Sequence, residues 1–159
     1  MGDLTIVEVM PNPSQVNDSD GEYIEVLVNA SIDLNGLQVG RTIVPAPNPE
    51  FTFESDDCLG FEPGERFLLA RNVDPLQNGG LPIENIFDAN ITLAQTAGTT
   101  YTLYLGVAQT IFNSYQYNGS DVEAGISLSV DDNGVTCPSS DVYGDGDIGS
   151  PGLPNPPCP

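Results

Sequence analysis

The stretch Glu22–Val28, EYIEVLV, decides the fold. Successive side chains of a strand point to opposite faces. Ile24, Val26 and Val28 therefore share one purely apolar face, which is expected to meet the core. Tyr23, Glu25 and Leu27 share the other. Glu25 is expected on this more solvated face, bonded to neighbouring backbone or to an arginine. Glu22 and Glu25 stand three residues apart, so a strand sends them to opposite faces and they cannot act as a facing acid and base.

Working outward, the same grammar repeats. LTIVEVM (Leu4–Met10) reads as a strand stopped by PNPS, and GLQV, FTFES, RFLLAR, NITLAQ, TYTLYL, TIFNSYQY and GISLSV complete about nine candidates. Short strands at this spacing, separated by turn residues, indicate an antiparallel β-sandwich or barrel. The 17 Gly and 14 Pro fit many turns and few long helices. VDPLQNG and IENIF are each long enough for a single helical turn. The predicted core includes Ile6, Ile24, Val26, Leu37, Leu68, Leu103, Leu105 and Leu128. A chain of 159 residues suits one domain, 1–159, ending in an irregular Gly/Pro/Asp-rich segment, 144–159.

Charge narrows the function. There are 23 acids against three bases, Arg41, Arg66 and Arg71, with no Lys and no His, for a formal net charge of −20. Nucleic acid is not an expected partner, because phosphate contacts need Lys and Arg to displace counterions. An anionic membrane surface would repel the chain, and no apolar run approaches the ~20 residues of a membrane helix.

Without His, most schemes that activate a Ser or Cys nucleophile are unavailable. No G-x-S-x-G elbow and no phosphate-cradling Gly-Lys loop is present. The expectation is a protein that is not an enzyme and has no cofactor. A hydrolase using unrecognised carboxylates is the remote alternative.

Calcium is the cofactor to weigh, because acidic loops supply its oxygen ligands. Asp18, Asp20 and Glu22 in DSDGE, and Asp145 and Asp147 in DGD, are the candidate ligands; DDNG at 131–134 is a further oxygen-rich turn. None of the three fits a twelve-residue EF-hand loop with Gly at its sixth position. Asp, Asn and Gly also build turns by themselves.

The three cysteines are Cys58, Cys137 and Cys158. Cys137 and Cys158 stand in Pro-rich, loop-like context, and loop cysteines suggest a bridge formed in an oxidising compartment. Cys137–Cys158 is the expected disulfide, with Cys58 left as a buried thiol. Pairing of Cys58 with either tail cysteine is the rival.

Several motifs in order resemble the lamin tail domain family, an immunoglobulin-like β-sandwich, in its bacterial secreted form. LTIVEVMPNPS resembles its first strand and Asn-Pro turn. DSDGEYIEVLVNASIDLNGLQVG resembles its acid-Gly-Glu-aromatic-Ile-Glu run, followed by Asn and then Asp-Leu-x-Gly. LGFEPGERFLLARN resembles its Pro-Gly turn before a hydrophobic strand, and GISLSVDD a late strand. YGDGDIGSPGLPN resembles the closing Gly-Ser-Pro-Gly-x-x-Asn signature.

On these motifs Glu8, Glu25, Asn29, Gly36, Gly64, Pro151, Gly152 and Asn155 are expected to be structural positions. The resemblance implies an exported bacterial protein, at the cell surface or outside it. It further implies a non-catalytic module that binds or presents, often within a larger chain. The partner would be a protein, a glycan or another domain of the same chain. A Ca²⁺-dependent adhesion module is the alternative.

Overall fold

A computed structural model describes residues 2–43, 46–82 and 84–159. Its strands are β1 (Leu4–Met10), β2 (Tyr23–Val28), β3 (Ile32–Asp33), β4 (Gln38–Gly40), β5 (Phe51–Thr52), β6 (Gly60–Phe61) and β7 (Arg66–Ala70). They continue with β8 (Ile86–Asp88), β9 (Thr100–Val107), β10 (Thr110–Asn118), β11 (Leu128–Val130), β12 (Thr136–Pro138), β13 (Val142–Tyr143) and β14 (Asp147–Ile148). One short helical turn, α1 (Asp18–Gly21), precedes β2.

Two sheets carry the architecture. One has six strands in the order β12-β11-β1-β2-β7-β8; the other has four, β10-β9-β4-β5. Every pairing in them is antiparallel except β7 with β8. The molecule is an all-β sandwich of the expected class. Ile24, Val26 and Val28 lie in the core between the sheets, with Leu4, Ile6, Val9, Leu37, Phe67, Leu103, Leu105 and Leu128. All eight predicted core residues are buried. Leu68 is nevertheless on the opposite face. It joins Met10, Tyr23, Ala70 and Leu81 in a second, smaller cluster on the outer side of the six-stranded sheet. Both faces of β2 are largely covered, with Leu27 alone half-buried.

A bulge sets the register that matters most. Ile6 of β1 faces Val26 of β2, and Glu8 faces Glu25, so Val7 is the extra residue. A bulge restarts the alternation. Ile6 and Val9 can then both point inward while Glu8 and Met10 point outward. The β9–β10 hairpin turns through Ala108 and Gln109, both at positive φ (47° and 69°). Such a two-residue turn normally announces itself with Asn or Gly, and here the sequence carries neither.

Two of these local expectations need correction and a third holds. NITLAQ forms no strand: it runs without ladder pairing, burying Ile91 and Leu93 and accepting the Tyr117 hydroxyl at the Ala94 carbonyl (2.8 Å). Side-chain packing and single bonds hold this alternating segment. IENIF is no helical turn; β8 begins at Ile86 and pairs with β7, while Ile83 lies outside the described residues. VDPLQNG does make one turn of helix-like bonding, with the Asn78 N–H donating to the Asp74 carbonyl at 3.0 Å.

Candidate functional site

The densest polar site lies on the outer face of the six-stranded sheet, under the C-terminal segment. Glu8 and Glu25 are cross-strand neighbours there and neither is exposed at all. Glu25 is thus not on a solvated face as expected: residues 149–155 cover it.

Glu8 Oε1 accepts the Tyr23 hydroxyl (2.6 Å), the Ser127 hydroxyl (2.6 Å) and the Ser150 N–H (2.9 Å). Its Oε2 lies 2.9 Å from Ser150 Oγ. Glu25 Oε1 accepts the Gly152 N–H at 2.9 Å, and Oε2 faces Arg66 at 3.9 Å, beyond hydrogen-bond reach. Burial is the main cause that pushes the Glu25 carboxyl up to about 8; the charge of Glu8 adds to it, and Arg66 and the Gly152 N–H oppose it. Burial and Glu8 also raise the Tyr23 phenol.

Asn155 closes the arrangement. Its Nδ2 donates to the carbonyls of Val7 (2.8 Å) and Val130 (3.0 Å), so it satisfies the bulged residue and bridges β1 to β11. That orientation leaves Oδ1 toward Ser150 Oγ at 2.7 Å. The Ser150 hydroxyl has one hydrogen for two acceptors, Asn155 Oδ1 and Glu8 Oε2.

Two glycines allow the close approach. A Cβ on Gly149 would stand 2.6 Å from Tyr23 Oη and 2.7 Å from Glu8 Oε1. Gly152 adopts φ +81°, which only glycine takes without strain, and so aims its N–H at Glu25. Pro151 between them is buried.

The tail is held at two further points. Cys137 and Cys158 form the expected disulfide, with Cα atoms 5.8 Å apart. This bridge suggests an oxidising, non-cytoplasmic environment. The Cys158 N–H also approaches Asp131 Oδ2 at 3.4 Å. Cys58 is free as expected, yet exposed, which corrects the buried thiol: its neighbours Asp56 and Asp57 are exposed too, and the turn never enters the core.

The remaining motif positions are structural bonds of a simpler kind. Asn29 Nδ2 donates to the Gly2 carbonyl (3.1 Å) and to Thr5 Oγ1 (2.8 Å), fastening the start of β1. Gly36 and Gly64 sit at positive φ in turns.

The candidate calcium ligands are dispersed among protein donors. Asp18 Oδ2 accepts from Gln95 Nε2 and Asp20 Oδ1 from Asn72 Nδ2, both at 3.0 Å. Glu22 Oε2 accepts from Arg71 NH1 at 3.0 Å. Burial pushes Glu22 up to about 7, against the Leu93 N–H and Arg71. Asp147 accepts the Ser14 hydroxyl at 2.6 Å and the Ser14 N–H at 3.1 Å, while Asp145 is exposed in the β13–β14 turn. Among the described residues, no three His, Cys, Asp or Glu side chains are placed to hold a metal together.

One surface feature is open. The six-stranded sheet is two strands wider than its partner, and β10 runs beside β1, where Asn113 Oδ1 accepts the Ile6 N–H at 3.2 Å. β11 and β12 therefore extend past β10. The result is a groove of about 540 Å³ lined by Gln116, Tyr117, Asn118, Asp121, Glu123, Leu128 and Thr136, among others.

Glu8, Tyr23, Ser127 and Ser150 were not read as one site from the sequence. The doublet Ile6-Val7, which breaks the alternation of β1, was the only signal of the bulge that brings Glu8 opposite Glu25. Comparison of the chain with protein-family models, characterised proteins and solved structures gave no match.

Proposed function

We propose that this chain is a non-catalytic β-sandwich module of the lamin tail domain kind. In this reading it belongs to a larger exported protein and binds or presents a partner through its surface. The observation that carries the reading is the convergence of the tail residues Pro151, Gly152 and Asn155 on the strands of the buried Glu8 and Glu25. Segments 142 residues apart in the chain meet there, and they belong to the motifs on which the resemblance rests. A carboxyl pair so placed positions backbone and has no path to a substrate. Its two acids are neighbours, as in a hydrolase pair, but Ser150 and Gly152 occupy the approach to them.

The test is a melting curve in chelator and in millimolar Ca²⁺, the range of weak extracellular sites, beside an assay on chromogenic glycosides and esters. Unchanged melting and no turnover are expected. A Ca²⁺-dependent rise in melting temperature would favour the adhesion reading, and turnover abolished by Glu25→Gln would favour a hydrolase.

A further inference from the structure

We propose that the groove beside β10 takes an extended, cationic segment of a partner protein as an added strand. This rests on the binding-module reading and gives it a place and a ligand chemistry. β10 is the last strand of the four-stranded sheet; its first half runs beside β1, and past that point no strand among the described residues pairs with its outer edge. A sheet edge is a template for pairing unless lysines, prolines, bulges or a covering loop blunt it. β10 has a bulge only at its start, between Ile111 and Asn113, and no Lys or Pro anywhere. The groove follows its other half, Gln116–Asn118.

The overhang of β11 and β12 supplies a floor. Leu128 and Tyr117 are buried beneath it, and Pro138 is the exposed apolar side chain that one set of alternate side chains of an incoming strand would meet. The charge chooses the other set. Asp121 and Glu123 are both exposed and are the charged groups of the groove. All three arginines of the chain face glutamates elsewhere: Arg41 with Glu50, Arg66 with Glu25 and Arg71 with Glu22. The net charge of −20 adds long-range attraction for a cation and repels an acidic segment. Lys or Arg at alternate positions, interleaved with Val or Thr, is the sequence chemistry that fits.

The probe is a fluorescent peptide of about ten residues, a long strand, alternating Lys with Val and Thr, followed by anisotropy at low salt. Three comparisons decide the question. The same peptide N-methylated at alternate amides keeps its charge but cannot pair along a strand edge. A Glu-for-Lys peptide reverses the charge. The double variant Asp121→Asn/Glu123→Gln neutralises the groove at two exposed positions, and its melting curve is compared with that of the parent to establish that it is folded.

Binding of the Lys peptide is expected, with loss on N-methylation, no binding of the Glu peptide, and about tenfold weakening in the double variant, as for two surface ion pairs. Equal binding of the N-methylated peptide, or of the double variant, would overturn the proposal: the peptide would then sense only the general surface charge, and the module reading would stand with its site elsewhere. No binding at all also overturns the groove, while the function proposed above keeps its own test in calcium and turnover.

Discussion

Two acidic regions of this molecule look alike in sequence and are treated differently by the fold. In one, Glu8 and Glu25 are wholly buried, and hydroxyls and backbone N–H groups from β2, the start of β11 and the tail converge on them. In the other, Asp18, Asp20 and Glu22 leave α1 in separate directions, each to its own partner: Gln95, Asn72 and Arg71. The density of acids is not what separates them. Several segments distant in sequence share the first pair, so losing it opens the tail, the bulge and β11 together. In the second group Asp18 and Asp20 each join one segment to α1, and Glu22 meets Arg71 and the Leu93 N–H.

The comparison breaks most sharply at Glu8. Glu8→Ala leaves the Tyr23 and Ser127 hydroxyls and the Ser150 N–H buried without an acceptor, which is expected to cost about 3–5 kcal/mol. Chemical denaturation should show this as a lower midpoint. A loss below about 1 kcal/mol, the scale of one ordinary hydrogen bond, would mean that water already reaches the site.

Next in size is the covalent hold on the same tail. Cys137→Ser/Cys158→Ser opens a link of sequence separation 21. It is expected to cost about 2–4 kcal/mol and to leave a cooperative transition, because Glu8 and Glu25 still hold residues 150–152.

The pH dependence follows from the shifts. Glu25 is raised from 4.5 to about 8 and Glu22 from 4.5 to about 7. Between those limits the folded chain binds more protons than the unfolded chain. Stability is therefore full below about 4.5 as far as these groups are concerned, and it falls as pH rises through 7 to 8. The melting temperature is expected to drop on the order of 5 °C between pH 5 and pH 9, and Glu25→Gln, which stays neutral, should flatten most of that slope. A melting temperature that rises over this range would reverse the assignment.

The smallest effect belongs to α1. Asp20→Asn removes one bond to Asn72 and is expected to change stability by less than about 1 kcal/mol, with no change in the pH slope. A large loss there would show that the α1 acids, too, act as a unit.

Much of this architecture was legible in the residues. The alternation in EYIEVLV placed Ile24, Val26 and Val28 on the inner face, and the Pro-rich context of Cys137 and Cys158 pointed to their bridge, although Cys137 lies within β12 and not in a loop. What was hidden depends on long-range geometry. One extra residue at Val7 brings Glu8 opposite Glu25, and a bulge shows in sequence only as a doublet that a continuous apolar run also produces. The covering of Glu25 required knowing that residues 149–155 return across the outer face, 127 residues after it for the Gly152 contact. NITLAQ has the periodicity of a strand and finds no ladder, because period reports which side chains are buried and says nothing of which backbone lies alongside. Cys58 misled because LGF after it is apolar, whereas the turn before it stays in solvent.

Amide hydrogen exchange at Ser150 and Gly152, followed from pH 5 to pH 9 and corrected for the intrinsic rate, tests the tail lock most directly. Their N–H groups are the two that point at Glu8 Oε1 and Glu25 Oε1. Both are expected to be protected nearly as well as the amides of β2 at pH 6, and to lose that protection ahead of β2 as pH rises past 8. Exchange at the intrinsic rate of an unprotected amide at every pH would contradict a buried carboxyl pair that fastens the tail.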